Sequence, residues 1–363
     1  LSDEGQVLSV PDMGERYYVM PFMDAWTNVF ATVGTRETGM QKGDYLITGP
    51  NWQGDVPDGL PQIQAPTNMV WLIGRIQING DLDIAPANAI QTRFKLASQT
   101  QWLAGEIQGS YTSDTFNTDR STSPSKLVEE MTSTEFFTEL SRLLKTQATL
   151  SSDKSILETL AHVGVVPGED FNKENQGWLQ TKLYNFIFKF TQKKLIEKLE
   201  SGRPKENGWN MIRDALGNYG TDYGFRAGVA KIALGALPPA EAIYASASVD
   251  IKGQTLSGAY QYIVHFPAGQ MPPVKAFWSI TMYDEDGFLI ESTINRYLIG
   301  DRDPLKYNDD GSLDIVIQYA QPQKNTENWL PTPKGTFTLI MRLYLPQKSI
   351  LDGSWKLPPV VLQ

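Results

Sequence analysis

Short runs in which apolar and polar residues alternate occupy both ends of this 363-residue chain, and between them the apolar period lengthens to that of a helix. At the N-terminal end, Arg16–Met23, Asn28–Val33, Asp44–Thr48 and Met69–Ile78 are rich in β-branched and aromatic side chains, which suit a pleated, half-buried surface. Gly14, Gly34, Gly43, Pro50 with Asn51, and Pro57-Asp58-Gly59 separate these runs as turns. Within Val70–Ile76, Trp71, Ile73 and Arg75 share one face and Leu72, Gly74 and Ile76 the other. The second face is expected inward, with Arg75 at an edge or in a polar pocket. At the C-terminal end, Ile243–Asp250, Tyr260–Phe266, Lys275–Tyr283, Gly287–Glu291, Leu313–Tyr319 and Thr336–Leu345 read as strands. Asp284-Glu285-Asp286-Gly287 and Asn308-Asp309-Asp310-Gly311 have the make-up of compact hairpin connections.

The middle reads as helical. Ile84–Leu96 fits a short helix, and Gln99–Arg120 a polar connecting segment. Thr132 and Glu135 have capping-box spacing ahead of the stripe Phe136, Phe137, Leu140, Leu143 and Leu144. Asp153 is expected to cap a helix over Lys154–His162 that Gly164 ends. Gly177–Leu199 carries Leu179, Leu183, Phe186, Ile187, Phe190 and Leu195 as an apolar stripe, and Tyr223–Leu237 is a last helix stopped by Pro238-Pro239. Such stripes call for burial, on the sheets or against another copy. The prediction is a mainly β fold with a helical segment: two antiparallel jelly-roll-like β-sandwich domains, over residues 1–110 and 238–363, joined by a helical, linking segment over 111–237.

Composition excludes several chemistries. The net charge of −9 repels phosphate backbones, so no nucleic-acid partner is expected. Lys193, Lys194 and Lys198 are interleaved with Glu197 and Glu200, as on a solvated helix face. Cysteine is absent, which removes disulfides, thiolate nucleophiles and cysteine-ligated metals. Its absence fits export to an oxidising compartment, so a periplasmic or secreted protein is expected, although a cytosolic chain can also lack it. No apolar stretch reaches the roughly 18 residues of a membrane-spanning helix. The chain opens at Leu1 with neither Met nor a signal peptide, as after removal of a leader or in a fragment.

Several phrases together carry a family resemblance. Arg16-Tyr17-Tyr18, Met20-Pro21, Asp24-Ala25-Trp26-Thr27-Asn28-Val29-Phe30, Gly49-Pro50-Asn51-Trp52-Gln53-Gly54 and Trp71-Leu72-Ile73-Gly74-Arg75 resemble the bacterial family DUF1254. Tyr219-Gly220-Thr221-Asp222-Tyr223, His265-Phe266-Pro267, Phe277-Trp278-Ser279, Met282-Tyr283-Asp284, Leu305-Lys306-Tyr307-Asn308 and Asn328-Trp329-Leu330-Pro331 resemble its companion, DUF1214. The resemblance spans nearly the whole chain. It implies two jelly-roll-like domains, often in envelope-associated or secreted proteins of Gram-negative bacteria, and no established catalytic residues. It also implies a helical and strand segment ahead of Gln6–Val10 that this sequence lacks. A jelly roll needs about eight strands, and the residues before Leu96 supply five or six clear ones. A truncated or processed form is therefore expected.

No motif assigns an activity. With only His162 and His265, and no G-x-S-x-G, a serine hydrolase triad has little to build on. His162 ends a helix; His265 is the one imidazole placed for acid–base work, on a strand face opposite Tyr262, Val264 and Phe266. No phosphate-cradling or dinucleotide fingerprint occurs, and no metal or other cofactor is expected. The acidic turns Asp284–Asp286 and Asp301, Asp303 with Asn308–Asp310 leave an oxygen-only calcium site open, but they lack the spacing of a twelve-residue calcium loop and suit hairpin turns. Asp24, Asp222 and Glu291 lie beside aromatics, without marking a catalytic pair. Exposed aromatics that could stack on a sugar or anchor a partner are sought among Trp26, Trp52, Trp278, Tyr297 and Trp329. Arg16, Arg75, Arg296 and Arg342 stand in or beside strands, as ion-pair or anion-binding groups. The candidate ligand-binding set is Trp26, Trp52, Arg75, His265, Trp278, Arg296, Tyr297 and Trp329. The expected function is non-enzymatic: an envelope-associated or secreted protein binding a protein partner, a glycan or itself, as a homo-oligomer. The alternative is a hydrolase-type enzyme with an Asp/Glu/Tyr/Arg site at the domain junction.

Overall fold

The computed structural model describes residues 1–106, 124–171, 177–201, 205–285, 287–292 and 294–363. The chain divides into two compact units: unit 1 holds residues 1–77, 85–201 and 217–236, and unit 2 holds 78–84, 202–216 and 237–363.

Unit 1 has eight strands from the first 98 residues: β1 (Gln6–Val10), β2 (Tyr18–Asp24), β3 (Val29–Gly34), β4 (Gly43–Thr48), β5 (Gln62–Gln64), β6 (Val70–Leu72), β7 (Arg75–Ile76) and β8 (Lys95–Ser98). They make two sheets, β5-β4-β1-β8 and β3-β2-β6, with β7 also on β2. Pairing is antiparallel except between β4 and β5. Strand β2 is buried at every position, so it reads as a continuous apolar run rather than an alternating one. Leu8, Tyr18, Met20, Phe22, Val33 and Ile47 form the core between these strands, and Leu72 and Ile76 pack onto it. The inward face assigned to Val70–Ile76 is thus observed at those two residues, while Trp71 is 40% exposed. Before Leu96 there are seven strands, not five or six, and an eighth spans Leu96 itself. The missed strands are short and polar: Gln62–Gln64 has neighbours rather than alternation to define it, and Lys95–Ser98 follows the end of the expected helix.

The helices of unit 1 are α1 (Ile84–Gln91), α2 (Gln99–Leu103), α3 (Pro124–Glu130), α4 (Ser133–Thr146), α5 (Lys154–Ala161), α6 (Trp178–Ser201) and α7 (Tyr223–Ile232). Helix α1 stops at Gln91, so the expected helix to Leu96 is cut short by β8. The connecting segment expected at Gln99–Arg120 begins as α2, and its residues 107–120 lie outside the described residues. The capping box of α4 is present: the Thr132 hydroxyl accepts from the Glu135 backbone N–H, and the Glu135 carboxylate accepts from the Thr132 backbone N–H at 2.8 Å. Asp153 does not cap α5. Its Oδ2 accepts the Leu150 backbone N–H at 3.1 Å and its Oδ1 the Tyr223 hydroxyl at 2.9 Å, so the carboxylate ties α7 to the start of α5 instead. The α4 stripe packs: Leu144 joins Val165 and Phe171, with Phe137 and Leu140 against them. The α6 stripe does not. Leu179, Leu183, Phe186, Ile187 and Phe190 are exposed and only Leu195 of the stripe is half-buried, whereas Phe188, on the other side of the helix, lies 5.0 Å from the Phe136 ring.

Unit 2 has β9 (Lys205–Glu206), β10 (Trp209–Met211), β11 (Ala242–Ala247), β12 (Tyr262–Phe266), β13 (Trp278–Asp284), β14 (Leu298–Gly300), β15 (Leu313–Gln318), β16 (Trp329–Pro331), β17 (Phe337–Tyr344) and β18 (Val360–Leu362), with a short helix α8 (Lys348–Leu351). One sheet runs β14-β13-β17-β11-β10-β9 and the other β16-β15-β12-β18. Only β15 and β16 pair in parallel. Alternation is clear on β17, whose Phe337, Leu339, Met341 and Leu343 point into the core. Both sheets feed that one core: Ile243 and Ile280 come from the first, Val264, Ile315 and Val360 from the second. Gly300 lets β14 close on β13, because a Cβ there would come 2.2 Å from the Trp278 carbonyl oxygen. The strand expected at Gly287–Glu291 is a single bridge from Leu289 to Tyr283. The turn before it closes through Asp284, whose backbone N–H donates to the Phe288 carbonyl at 2.9 Å; Asp286 lies outside the described residues.

Candidate functional site

Asp24, at the end of β2, is 5% exposed, and its carboxylate is used within its own turn. Oδ1 accepts the backbone N–H of Trp26 at 2.9 Å and of Asn28 at 2.8 Å, and Oδ2 accepts Asn28 Nδ2 at 3.0 Å. The turn holds Thr27 at φ 68°. That is an outlier for a β-branched residue, since Cβ crowds the following carbonyl in the left-handed region. Residues 217–219 complete this corner of unit 1: the Val29 N–H donates to the Gly217 carbonyl at 2.7 Å, and the Tyr219 N–H to Asn28 Oδ1 at 3.4 Å.

Thr27 borders a cavity of about 500 Å³ whose other walls are α3, α4, α6 and α7. The size is that of a small-molecule site. Val128, Phe136, Phe188, Leu195, Ala230 and Leu234 make the lining predominantly apolar. Glu129 and Lys231 form an ion pair at 2.8 Å within it, and Lys189 donates to the Glu129 carbonyl oxygen, so three helices are tied at one residue. Two further lining atoms, Thr27 Oγ1 and Gln192 Oε1, are buried without a hydrogen-bond partner. Buried polar atoms are nearly always paired in native proteins, and leaving one unpaired costs about 1–3 kcal/mol. A ligand whose apolar body fills the cavity and whose O–H or N–H reaches Gln192 Oε1 satisfies both features; the Thr27 hydroxyl can give or take a second bond.

The cavity holds no imidazole, and its one carboxylate, Glu129, is paired with Lys231. Burial raises a carboxyl elsewhere, at Asp301 of unit 2, which accepts the Trp278 backbone N–H at 3.1 Å as part of a turn. Among the described residues no three His, Asp or Glu side chains converge as metal ligands.

The residues singled out in the sequence occupy other places. Trp26 packs on the helical cluster of Leu144, Val165 and Phe171 and donates Nε1 to the Ala148 carbonyl at 2.7 Å. Trp52 packs on Val7, Leu46 and Leu60. Trp278 and Trp329 are buried, not surface platforms: Trp278 tilts over Phe266, and Trp329 donates Nε1 to the Gln318 carbonyl. Tyr297, half-buried, has its hydroxyl 3.5 Å from Asn295 Oδ1. The arginines do not converge. Arg16 and Arg75 donate to the carbonyls of Gln77 and Gly235; Arg296 gathers those of Thr326, Glu327 and Trp329; Arg342 donates to Thr281 Oγ1 and the Tyr283 hydroxyl. Only Arg296 and Trp329 of the candidate set are brought together, and through backbone. His265 is exposed on β12, its Nδ1 2.6 Å from Asp314 Oδ1. Asp222 caps α7 by accepting the Phe225 N–H at 2.9 Å. The cavity residues Thr27, Glu129, Gln192 and Lys231 were not singled out. They come from distant stretches and share no motif; the one local signal was a β-branched residue inside the tight Asp24–Asn28 turn.

These features define a class: a mainly β protein of two units, one of which carries a half-open apolar cavity between helices. The chain belongs to the two-domain DUF1254/DUF1214 proteins. Residues 1–98 match the family described as a protein of unknown function, DUF1254, and residues 241–348 the one described as a protein of unknown function, DUF1214. Among solved structures, the chain is similar to the VPA0106 protein from Vibrio parahaemolyticus, with 26% identity, a TM-score of 0.72, and coverage of 99% of this chain and 85% of that one. A putative uncharacterized protein from Burkholderia cenocepacia aligns at 11% identity and a TM-score of 0.47, over 99% of this chain and 72% of that one. No curated protein matches the chain.

Proposed function

We propose that this protein is a non-enzymatic binding protein whose unit 1 cavity takes up a small, largely apolar molecule bearing a hydrogen-bond donor. The observation that carries the reading is the pairing of an apolar cavity of about 500 Å³ with two buried, unpartnered oxygens in its wall. A glycan suits this lining less well, because its many hydroxyls need more partners than Thr27, Gln192 and the Glu129–Lys231 pair provide. Absence of cysteine supports an envelope-associated or secreted setting. The single core shared by two sheets in unit 2 supports a jelly-roll-like sandwich there.

The test is displacement of anilinonaphthalene sulfonate by a series of medium-chain alcohols and the matching alkanes, on the wild type and on Ala230→Trp, which intrudes on the cavity. Saturable one-to-one binding, tighter for the alcohols, is expected, with a loss of about tenfold or more in Ala230→Trp, equivalent to about 1.4 kcal/mol. Circular dichroism and thermal unfolding check that the variant folds. Equal binding by both proteins, or none by the wild type, overturns the reading.

A further inference from the structure

Helix α6 is apolar on two sides, and only one of them is covered. Phe188 turns inward beside Phe136, and Asn185 accepts from the Ser133 backbone N–H at 2.8 Å. On the opposite side Leu179, Leu183, Phe186 and Phe190 stand exposed, Phe186 by 69%, with Ile187 and, at the start of the helix, Trp178 exposed at its flanks. Leu179, Leu183, Phe186 and Phe190 follow a 4-3-4 spacing, so they line one continuous stripe about 17 Å long. Lone exposed apolar residues are ordinary, whereas a row of four with two more at its flanks marks an interaction surface.

The charges around the stripe indicate what it meets. Residues 177–196 contain Lys182, Lys189, Lys193 and Lys194 and no Asp or Glu, in a chain of net charge −9. All four lysines are exposed, and Lys189 reaches back to the Glu129 carbonyl, so Lys182, Lys193 and Lys194 are the ones that flank the outer row. Lys182 Nζ sits 4.9 Å from the Trp178 ring and Lys194 Nζ 5.9 Å from that of Phe190, so cations border the apolar row at both ends. A twofold pairing of α6 with a second copy would set lysines against lysines along the seam, since the helix's own carboxylates, Glu197 and Glu200, come only in its last turns, beyond the apolar row. A surface that is apolar below and anionic at its boundary satisfies both parts. Leucine, isoleucine and aromatic side chains enter the acyl region while lysines reach phosphates at the headgroup level.

We infer that the outer face of α6 docks the protein, lying flat, on an anionic lipid surface. The helix does not span: no described helix is long and apolar enough to cross a membrane. Each lysine near such a surface strengthens partitioning about fivefold. This docking stands apart from uptake in the cavity, which uses the opposite side of α6.

The experiment is co-flotation of the full chain with phosphatidylcholine vesicles, with and without phosphatidylglycerol. It compares the wild type, Phe186→Ser/Phe190→Ser, Lys182→Glu/Lys193→Glu, and Ala230→Trp. Binding is expected only with phosphatidylglycerol present, and weakening as salt rises. Both double variants lose about tenfold or more, and Ala230→Trp binds like the wild type. The substituted side chains are exposed, and circular dichroism verifies their folding. Failure of the wild type to float, or undiminished flotation of both double variants, overturns the inference. So does a concentration-dependent dimer that Phe186→Ser/Phe190→Ser abolishes in sedimentation velocity, which would assign the face to a second copy. Tighter capture of an acidic amphipathic peptide than of the vesicles also overturns it.

Discussion

Asp24 and Asn28 are joined three times, through the Asn28 backbone N–H and side-chain amide to the Asp24 carboxylate and through the Asp24 backbone N–H to the Asn28 carbonyl, and between them Thr27 is held in the left-handed region facing the cavity. With Trp26 also donating to Asp24, three bonds converge on one buried carboxylate. Asp24→Ala removes all three and leaves two backbone donors without their acceptor. A loss of about 2–4 kcal/mol is expected, read as a lower urea midpoint. A change below about 0.5 kcal/mol would show that the turn persists without the carboxylate.

Gln192 Oε1 is a cost to the empty protein and a benefit to the filled one. Gln192→Met keeps the approximate volume and removes the unpaired oxygen. It is expected to raise the stability of the unliganded protein by about 1 kcal/mol. The same change should erase the preference for alcohols over alkanes in the displacement assay. Retention of that preference would assign the donor's partner to Thr27.

Burial raises the Asp301 carboxyl, so the folded protein holds this proton at pH values where the unfolded chain has released it. The associated stability is complete below the ordinary aspartate value of about 3.9 and is lost as pH rises through the raised folded value. Asp301→Asn keeps an acceptor for the Trp278 N–H without that penalty. It is expected to unfold at higher urea than the wild type at neutral pH and at the same urea well below pH ~3.9. Equal midpoints at neutral pH contradict this.

Tyr18, Tyr219 and Tyr262 are raised first by burial, and Tyr223 by burial and by its bond to Asp153. Their contribution is present below the ordinary tyrosine value of about 10 and is lost as pH climbs through the raised values. Ultraviolet titration should therefore show the ionisation of these four phenols coinciding with alkaline unfolding rather than preceding it. Tyr223→Phe is expected to cost about 1–2 kcal/mol at neutral pH, because Asp153 loses one of its two donors.

The His265–Asp314 pair is close but half in solvent, and Asn308 Nδ2 donates to the other Asp314 oxygen at 3.0 Å. Exposed pairs contribute about 0–1 kcal/mol. His265→Ala is expected to stay within that range and to leave binding in the cavity unchanged. A loss of ligand binding would return His265 to the site.

Legibility followed how locally each feature is determined. The capping box at Thr132 and Glu135 needs four residues and is written in four. Strand β17 announces itself because one sheet face is buried and the other is not. The placement of Asp153 as a cap failed because Leu150 and Tyr223 supply donors that no local rule anticipates. Strands β9, β10, β14, β16 and β18 have two or three residues each and exist through their partners, too short to show a period. Trp278 and Trp329 stand beside polar residues in sequence yet fill the core, since a strand neighbour points to the opposite face. The cavity was least legible. Thr27 and Leu234 are separated by two hundred residues, and nothing but folding brings them to one wall.

Because residues 202–216 belong to unit 2 and residues 217–236 return to unit 1, the first unit remains unfinished until residue 236 has been made. A ribosome-bound chain ending near residue 200 carries β1 to β8 but lacks Ala227, Ala230 and Lys231, which close the pocket, and Gly217, which straps β3. No single cut in the gene separates two self-sufficient halves. Expression of either half alone should yield protein that depends on chaperones, and shuffling of the two matched regions as independent cassettes should succeed only when the returning strap travels with the N-terminal piece.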